Sequence, residues 1–112
     1  MKIAISSADK NINSDVFDIF GRCPYFIILE DKDGKLEKVE AVKNEGMDQN
    51  SGVGISAAQL VVEKGVDTVI TGNIGPRALD VLKQFNVEIY FGEGVIKDVL
   101  QAFLDKKLKR IG

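Results

Sequence analysis

Three stretches of this chain carry residue types and spacings that could hold a ligand. The first, Phe20-Gly21-Arg22-Cys23-Pro24-Tyr25-Phe26, contains the only cysteine. A thiol becomes a metal ligand or nucleophile as the thiolate, and a neighbouring cation such as Arg22 favours that form. A lone cysteine serves equally well as an inert packed thiol. One thiolate cannot complete a zinc or iron–sulfur centre, which takes about four ligands.

The second stretch, Thr71-Gly72-Asn73-Ile74-Gly75-Pro76, reads as a turn from a buried strand into a helix, with Pro76 near the first helical position. Proline suits that position because its missing N–H would have no helical partner there. Gly72 and Gly75 let the backbone turn sharply and come close to a ligand, while the free N–H groups and the dipole of the helix favour an anion. The third stretch is Gly52-Val53-Gly54 ahead of another helix, with Asn50 or Ser51 able to cap it. Both glycine pairs also suit tight turns with no ligand. The full dinucleotide spacing and the Walker lysine are absent, so neither is a nucleotide fingerprint.

The rest of the composition narrows the chemistry. There is no histidine, which removes the commonest metal ligand and neutral-pH acid/base. A net charge of −2 argues against nucleic acid as the main partner, since phosphate binding needs an excess of Lys and Arg. The one basic cluster, Lys106, Lys107, Lys109 and Arg110, follows a helical pattern and reads as a cationic last turn complementing the helix dipole. The first strand offers Ile3, Ala4 and Ile5 where a metal-dependent nuclease would need carboxylates. No apolar run approaches the ~18 residues of a membrane span. With one cysteine, no internal disulfide and a start that passes straight into strand-like sequence, the expected compartment is the cytoplasm.

The elements that must position these residues follow from periodicity. At 112 residues, with 45% hydrophobic and 29% charged side chains, the chain is expected to be a single domain, 1–112, with one principal core. Residues 2–6 form a short apolar run consistent with a buried strand. Residues 8–20 have no clean period and read as a long loop with at most one helical turn, a length that often marks function. Residues 25–29 and 36–43, joined by Asp31-Lys32-Asp33-Gly34-Lys35, make a β-hairpin whose second strand carries charge on both faces, as an edge strand does. Ile55, Ala58, Val61 and Val62 recur at helical spacing up to Gly65. The remainder alternates: strand 66–71, a helix with Ala78, Leu79, Leu82 and Phe85 inward, strand 87–91, and a last helix with Val95, Val99, Ala102 and Phe103 on one side. Such alternation implies parallel strands with right-handed crossovers. The expectation is a three-layer α/β/α domain with a mixed five-stranded sheet in which one strand is antiparallel.

Taken together and in this order, Phe20 to Phe26, Gly52-Val53-Gly54-Ile55-Ser56-Ala57-Ala58-Gln59, and Gly65-Val66-Asp67-Thr68-Val69-Ile70-Thr71-Gly72-Asn73-Ile74-Gly75-Pro76 resemble the dinitrogenase iron-molybdenum cofactor biosynthesis family over nearly the whole chain. The chain looks like a small stand-alone member. The resemblance implies a ribonuclease-H-like α/β/α fold and, from the larger relatives, carriage or insertion of the iron-molybdenum cofactor or its precursors. Many members place one histidine just before the Phe-Gly pair and another in the glycine-rich loop. Here Ile19 precedes Phe20, and Asn50-Ser51 precede Gly52, leaving Cys23, Met47 and Asp48 as inner-shell candidates, Cys23 foremost.

These readings converge on a non-catalytic protein that binds or carries an iron-sulfur or iron-molybdenum type cluster or its precursor. Cys23 is the expected metal ligand, and Gly21, Arg22, Ser51, Gly52, Gly54, Gly72, Asn73 and Gly75 are the expected surrounding contacts. The alternatives are a metal-free module sensing a small anion through the same loops, and a protein-interaction regulatory module. The expected partners are the cluster or anion and a cluster-assembly protein, with no nucleic acid and no membrane; monomer and homodimer are both compatible with the sequence.

Overall fold

The computed structural model describes all residues, 1–112. Its centre is β1 (Lys2–Ser7), in which Ile3 to Ser7 are all buried. Such a strand must be covered on both faces and paired on both edges. It is paired by β2 (Tyr25–Lys32), which runs antiparallel to it, and by β4 (Thr68–Thr71), which runs parallel. β2 turns into β3 (Lys35–Lys43) through Asp33 and Gly34, with φ of 55° and 81°. Positive φ at both central residues is the condition of a two-residue hairpin turn whose twist matches the strands. The Asp31 carboxylate accepts a hydrogen bond from the Gly34 N–H at 3.1 Å and fixes the turn.

After α1 (Val53–Glu63) and β4, α2 (Pro76–Gln84) leads into β5 (Glu88–Phe91), parallel to β4. α3 (Ile96–Leu104) and β6 (Lys109–Ile111) complete the chain. The strand order is β3-β2-β1-β4-β5-β6. Alternation along the central strands divides the core into two layers. Ala4, Phe26, Ile28, Val69 and Ile89 face Ala57, Ala58 and Val61 of α1 and Ala78 and Leu82 of α2. Ile3, Ile5, Ile27, Leu29 and Ile70 face Ile96, Val99 and Leu100 of α3. Each fully buried isoleucine contributes about 1.5–3 kcal/mol, so the period-2 pattern of β1 and β2 fixes both layers and their register at once.

The three layers, the hairpin and the parallel trio β1, β4 and β5 match the sequence expectation. Two features correct it. The sheet has six strands rather than five, and two of them, β2 and β6, run against the rest. The extra strand comes from the basic tail. Lys106 ends α3 with φ of 59°, and Lys109 and Arg110 pair with Phe91 and Tyr90 of β5 instead of extending a helix. Arg110 also donates to Glu88 at 2.9 Å across the same pair of strands.

Residues 8–19 have no regular element, yet they are tied down. Single bridges join Val16 to Ser7, Asp15 to Val95 and Ile19 to Asn73, so the segment runs across the carboxyl ends of β1 and β4. Beneath it the Ser6 and Thr71 hydroxyls share a hydrogen bond at 2.8 Å, and the Ser6 hydroxyl donates to the Phe17 carbonyl at 2.8 Å. These two buried hydroxyls let a polar loop close over the sheet end without orphaned groups.

Candidate anion-binding groove

The thiol read as a ligand is buried in the core. Cys23 is 0% exposed and packs with Phe20, Phe26 and the inner residues of α1. It caps the short 3-10 turn Phe20–Arg22, and the turn leaves Cys23 buried and Arg22 exposed. Burial pushes the thiol up to about 12, a rise that hydrogen bonds from its surroundings only partly offset. The expected activation by Arg22 does not occur, because the guanidinium Nη1 donates instead to the carbonyls of Met47 at 3.0 Å and Gln49 at 2.9 Å. Enclosed in this way, the thiol packs as a core side chain and does not reach the surface. Met47 is half-buried and Asp48 exposed, and no three His, Cys, Asp or Glu side chains converge anywhere in the chain.

The glycines separate into two kinds. A Cβ on Gly72 would lie 2.6 Å from the Asp18 carbonyl oxygen and 2.7 Å from its Cα. Gly72 thus admits the strap of residues 15–19, whose Asp18 carbonyl accepts from the Asn73 N–H at 2.5 Å while the Asn73 carbonyl accepts from the Phe20 N–H at 2.9 Å. The backbone of Asn73 is consumed by these bonds, and only its side chain is exposed. Gly21 behaves in the same way, since a Cβ there would lie 2.9 Å from the Gly54 nitrogen. Gly21 and Gly72 permit backbone to meet backbone and are sealed from solvent.

Gly52 and Gly75 are different: a Cβ on either would meet nothing within 4 Å. Gly52, with φ of 74°, is the N-cap of α1, and Gly75, extended at φ −76° and ψ 163°, is the N-cap of α2. No side chain caps either helix, so Ser51 and Asn50 do not play the part their position suggested. The first N–H groups of each helix have no intrahelical acceptor. The two helix starts lie side by side, a Cβ on Gly54 falling 3.2 Å from the Ala78 Cβ.

Between them runs an open groove of about 290 Å³ lined by Gly52, Val53, Gly54, Ile55, Gly75, Pro76, Arg77 and Ala78. Two helix starts border one space, with Arg77 in its lining. That arrangement favours an anion and supplies N–H donors to it without any metal-ligating side chain.

Of the sequence-predicted contacts, the fold brings Gly52, Gly54 and Gly75 into the groove and leaves Ser51 beside it. Gly21 lies behind the groove, under Gly54. Arg22, Cys23, Gly72 and Asn73 do not line it. Two residues escaped the sequence reading. Arg77 was legible in principle, because a cation in the first turn of a helix opposes the dipole and asks for a reason. Asn44, 1% exposed, carried no local signal. Its amide donates to the Gly21 and Cys23 carbonyls at 3.1 and 2.9 Å.

Fold and groove together define a class: small three-layer α/β/α domains with a glycine-bordered cleft where two helices begin at one end of the sheet. The chain belongs to the dinitrogenase iron-molybdenum cofactor family, whose model matches residues 1–106. An uncharacterized protein of Methanocaldococcus jannaschii is 32% identical over 111 residues, covering 98% of this chain and 91% of that protein. Among solved structures, the apo form of the orange protein from Desulfovibrio gigas superimposes with a TM-score of 0.88 at 25% identity, covering 99% of this chain and 92% of that one. A NifB-like protein from Thermotoga gives 0.80 at 34% identity, covering 97% and 91%.

Proposed function

We propose that this protein is a non-catalytic carrier of an anionic metal–sulfur cargo, an iron-sulfur or iron-molybdenum type cluster or its precursor, which it passes to a cluster-assembly protein. The observation that carries the reading is the pair of uncapped helix starts opening on one glycine-bordered groove beside Arg77. Family membership and the likeness to the orange protein support a cluster as the cargo. The chain's own donors refine how it would be held. With Cys23 enclosed and no histidine, side-chain ligation of iron or molybdenum does not fit. Backbone N–H donors and a guanidinium do fit a cargo that brings its own sulfide or oxide ligands and its own negative charge. The non-catalytic reading rests on the same lining, which contains no carboxylate, thiol, hydroxyl or imidazole able to serve as base or nucleophile.

A second reading shares the groove: N–H donors accept a small oxyanion as readily as a thioanion, which would make the protein a metal-free sensor. Anaerobic titration with tetrathiomolybdate, set beside titration with inorganic phosphate, separates the two. The carrier reading expects the thiometallate colour to stay with the protein through desalting, melting to rise because the folded state alone binds, and both effects to persist in Cys23→Ser. Stabilisation by phosphate alone would favour the sensor. Colour lost in Cys23→Ser would restore thiolate ligation, and no response to either anion would reduce the groove to a turn.

A further inference from the structure

The side chain that faces away from the core beside Cys23 is committed to a distant loop. Arg22 places both hydrogens of one terminal nitrogen on the carbonyls of Met47 and Gln49, at 3.0 and 2.9 Å. The loop answers in kind, since the Asn44 amide holds the carbonyls of Gly21 and Cys23, and the Asn44 N–H donates to the Pro24 carbonyl at 2.9 Å. Each segment therefore fastens the backbone of the other. Within the loop, the Met47 N–H donates to Asn44 and the Gln49 N–H to Gly46, making a compact turn. That turn is keyed to α1, because a Cβ on Gly46 would lie 2.6 Å from the Ser56 hydroxyl. Three residues after Gln49 comes Gly52, the N-cap of α1 and a wall of the groove.

The two halves of this clasp differ in exposure. The Asn44 half is buried and integral to the core. The Arg22 half is exposed and can be released without opening the core. Arg22 does not line the groove, so it acts through the loop and not by touching what the groove holds.

We infer that Arg22 is a positioning residue: by holding the Met47 and Gln49 carbonyls it fixes the first turn of α1 and the aim of the N–H donors that border the groove. The inference rests on the anion reading for its consequence, but the clasp itself can be measured without a ligand. Two variants of the full chain test it, Arg22→Met, which keeps the stem and loses the donors, and Arg22→Lys, which keeps the charge without the planar fork. Amide hydrogen exchange is read residue by residue, and affinity for tetrathiomolybdate is read alongside it.

In Arg22→Met, exchange at the hydrogen-bonded amides of Met47, Gln49 and Ser56 should accelerate about tenfold or more while the amides of β1 and β4 keep their rates, and thiomolybdate affinity should fall by a similar factor. Arg22→Lys should show both changes. Retained affinity in Arg22→Lys with faster exchange would mean that the charge alone matters and would overturn the positioning role. Unchanged exchange in Arg22→Met would overturn the clasp. If the wild-type protein takes up no thiomolybdate while exchange responds as expected, the anion reading fails and the clasp stands.

Discussion

The sealed end of the sheet and the open groove beside it are built from the same residue type for opposite reasons. At Gly72 and Gly21 the absent side chain lets one backbone rest on another. At Gly52 and Gly75 it leaves room that no protein atom fills. A glycine in a loop thus marks either a contact inside the fold or a place kept clear, and only the atoms standing over it tell which. Substitution at Gly72 or Gly21 should cost folding, whereas at Gly75, whose backbone is extended, it should cost binding alone; Gly52, at φ of 74°, would add backbone strain to any loss of binding.

The largest effect is expected at the sealed end. In Gly72→Ala a methyl group would meet the backbone of Asp18, which cannot move aside as a side chain tip can. The strap of residues 15–19 must lift from the sheet, at a cost of about 1–3 kcal/mol. A domain of this size then melts roughly 4–8 °C lower for each kcal/mol lost. Thermal or urea unfolding measures it. A Gly72→Ala protein as stable as the wild type would contradict the division.

Cys23 extends the contrast to charge. Its proton is held more tightly in the folded chain than in the unfolded one, where the thiol has its ordinary value near 9.0 against about 12 when buried. The unfolded state therefore loses its proton first as pH rises. The contribution of this group is fully present below about pH 9 and fades as pH climbs toward 12. Thiolate absorption should appear near pH 9 in denaturant and only at much higher pH in native protein, and Cys23→Ser should flatten the alkaline slope of stability. Native thiolate absorption at pH 8 would show the thiol to be open after all.

What the sequence made legible was whatever rests on apolar period and turn chemistry. The two-faced burial of Ile3 to Ile5, the Asp33-Gly34 hairpin and the alternation of helix and strand after residue 53 are all local signals, and they yielded three layers and the parallel trio. β6 was not legible because Lys109–Ile111 is three residues long and two of them are basic; it is a strand because β5 offers an edge. Residues 8–19 gave no period because they are held by single bridges and hydroxyl bonds instead of a repeating face. Of the site, the glycine turns were visible, but their division was not. Arg22 and Cys23 are adjacent in sequence but not in environment, since the guanidinium reaches the Met47 and Gln49 carbonyls while the thiol is buried. The hydrogen bonds of Asn44 reach back 21 and 23 residues, and no local pattern announces such a partner.

The smallest change in stability belongs to the variant that tests the central claim most directly. Gly75 has the extended backbone of an ordinary N-cap, so Gly75→Asp requires no strain, and its carboxylate can accept from the free N–H groups at the start of α2. A helix cap in place of a glycine should raise stability by a few tenths of a kcal/mol. It should also fill the groove with a fixed negative charge at the proposed anion position. The measurement is thiomolybdate retention beside the melting temperature in Gly75→Asp. The expected protein melts at the same temperature or slightly higher and no longer retains the anion; full retention in this equally stable protein would show that the helix starts are not where the anion is held.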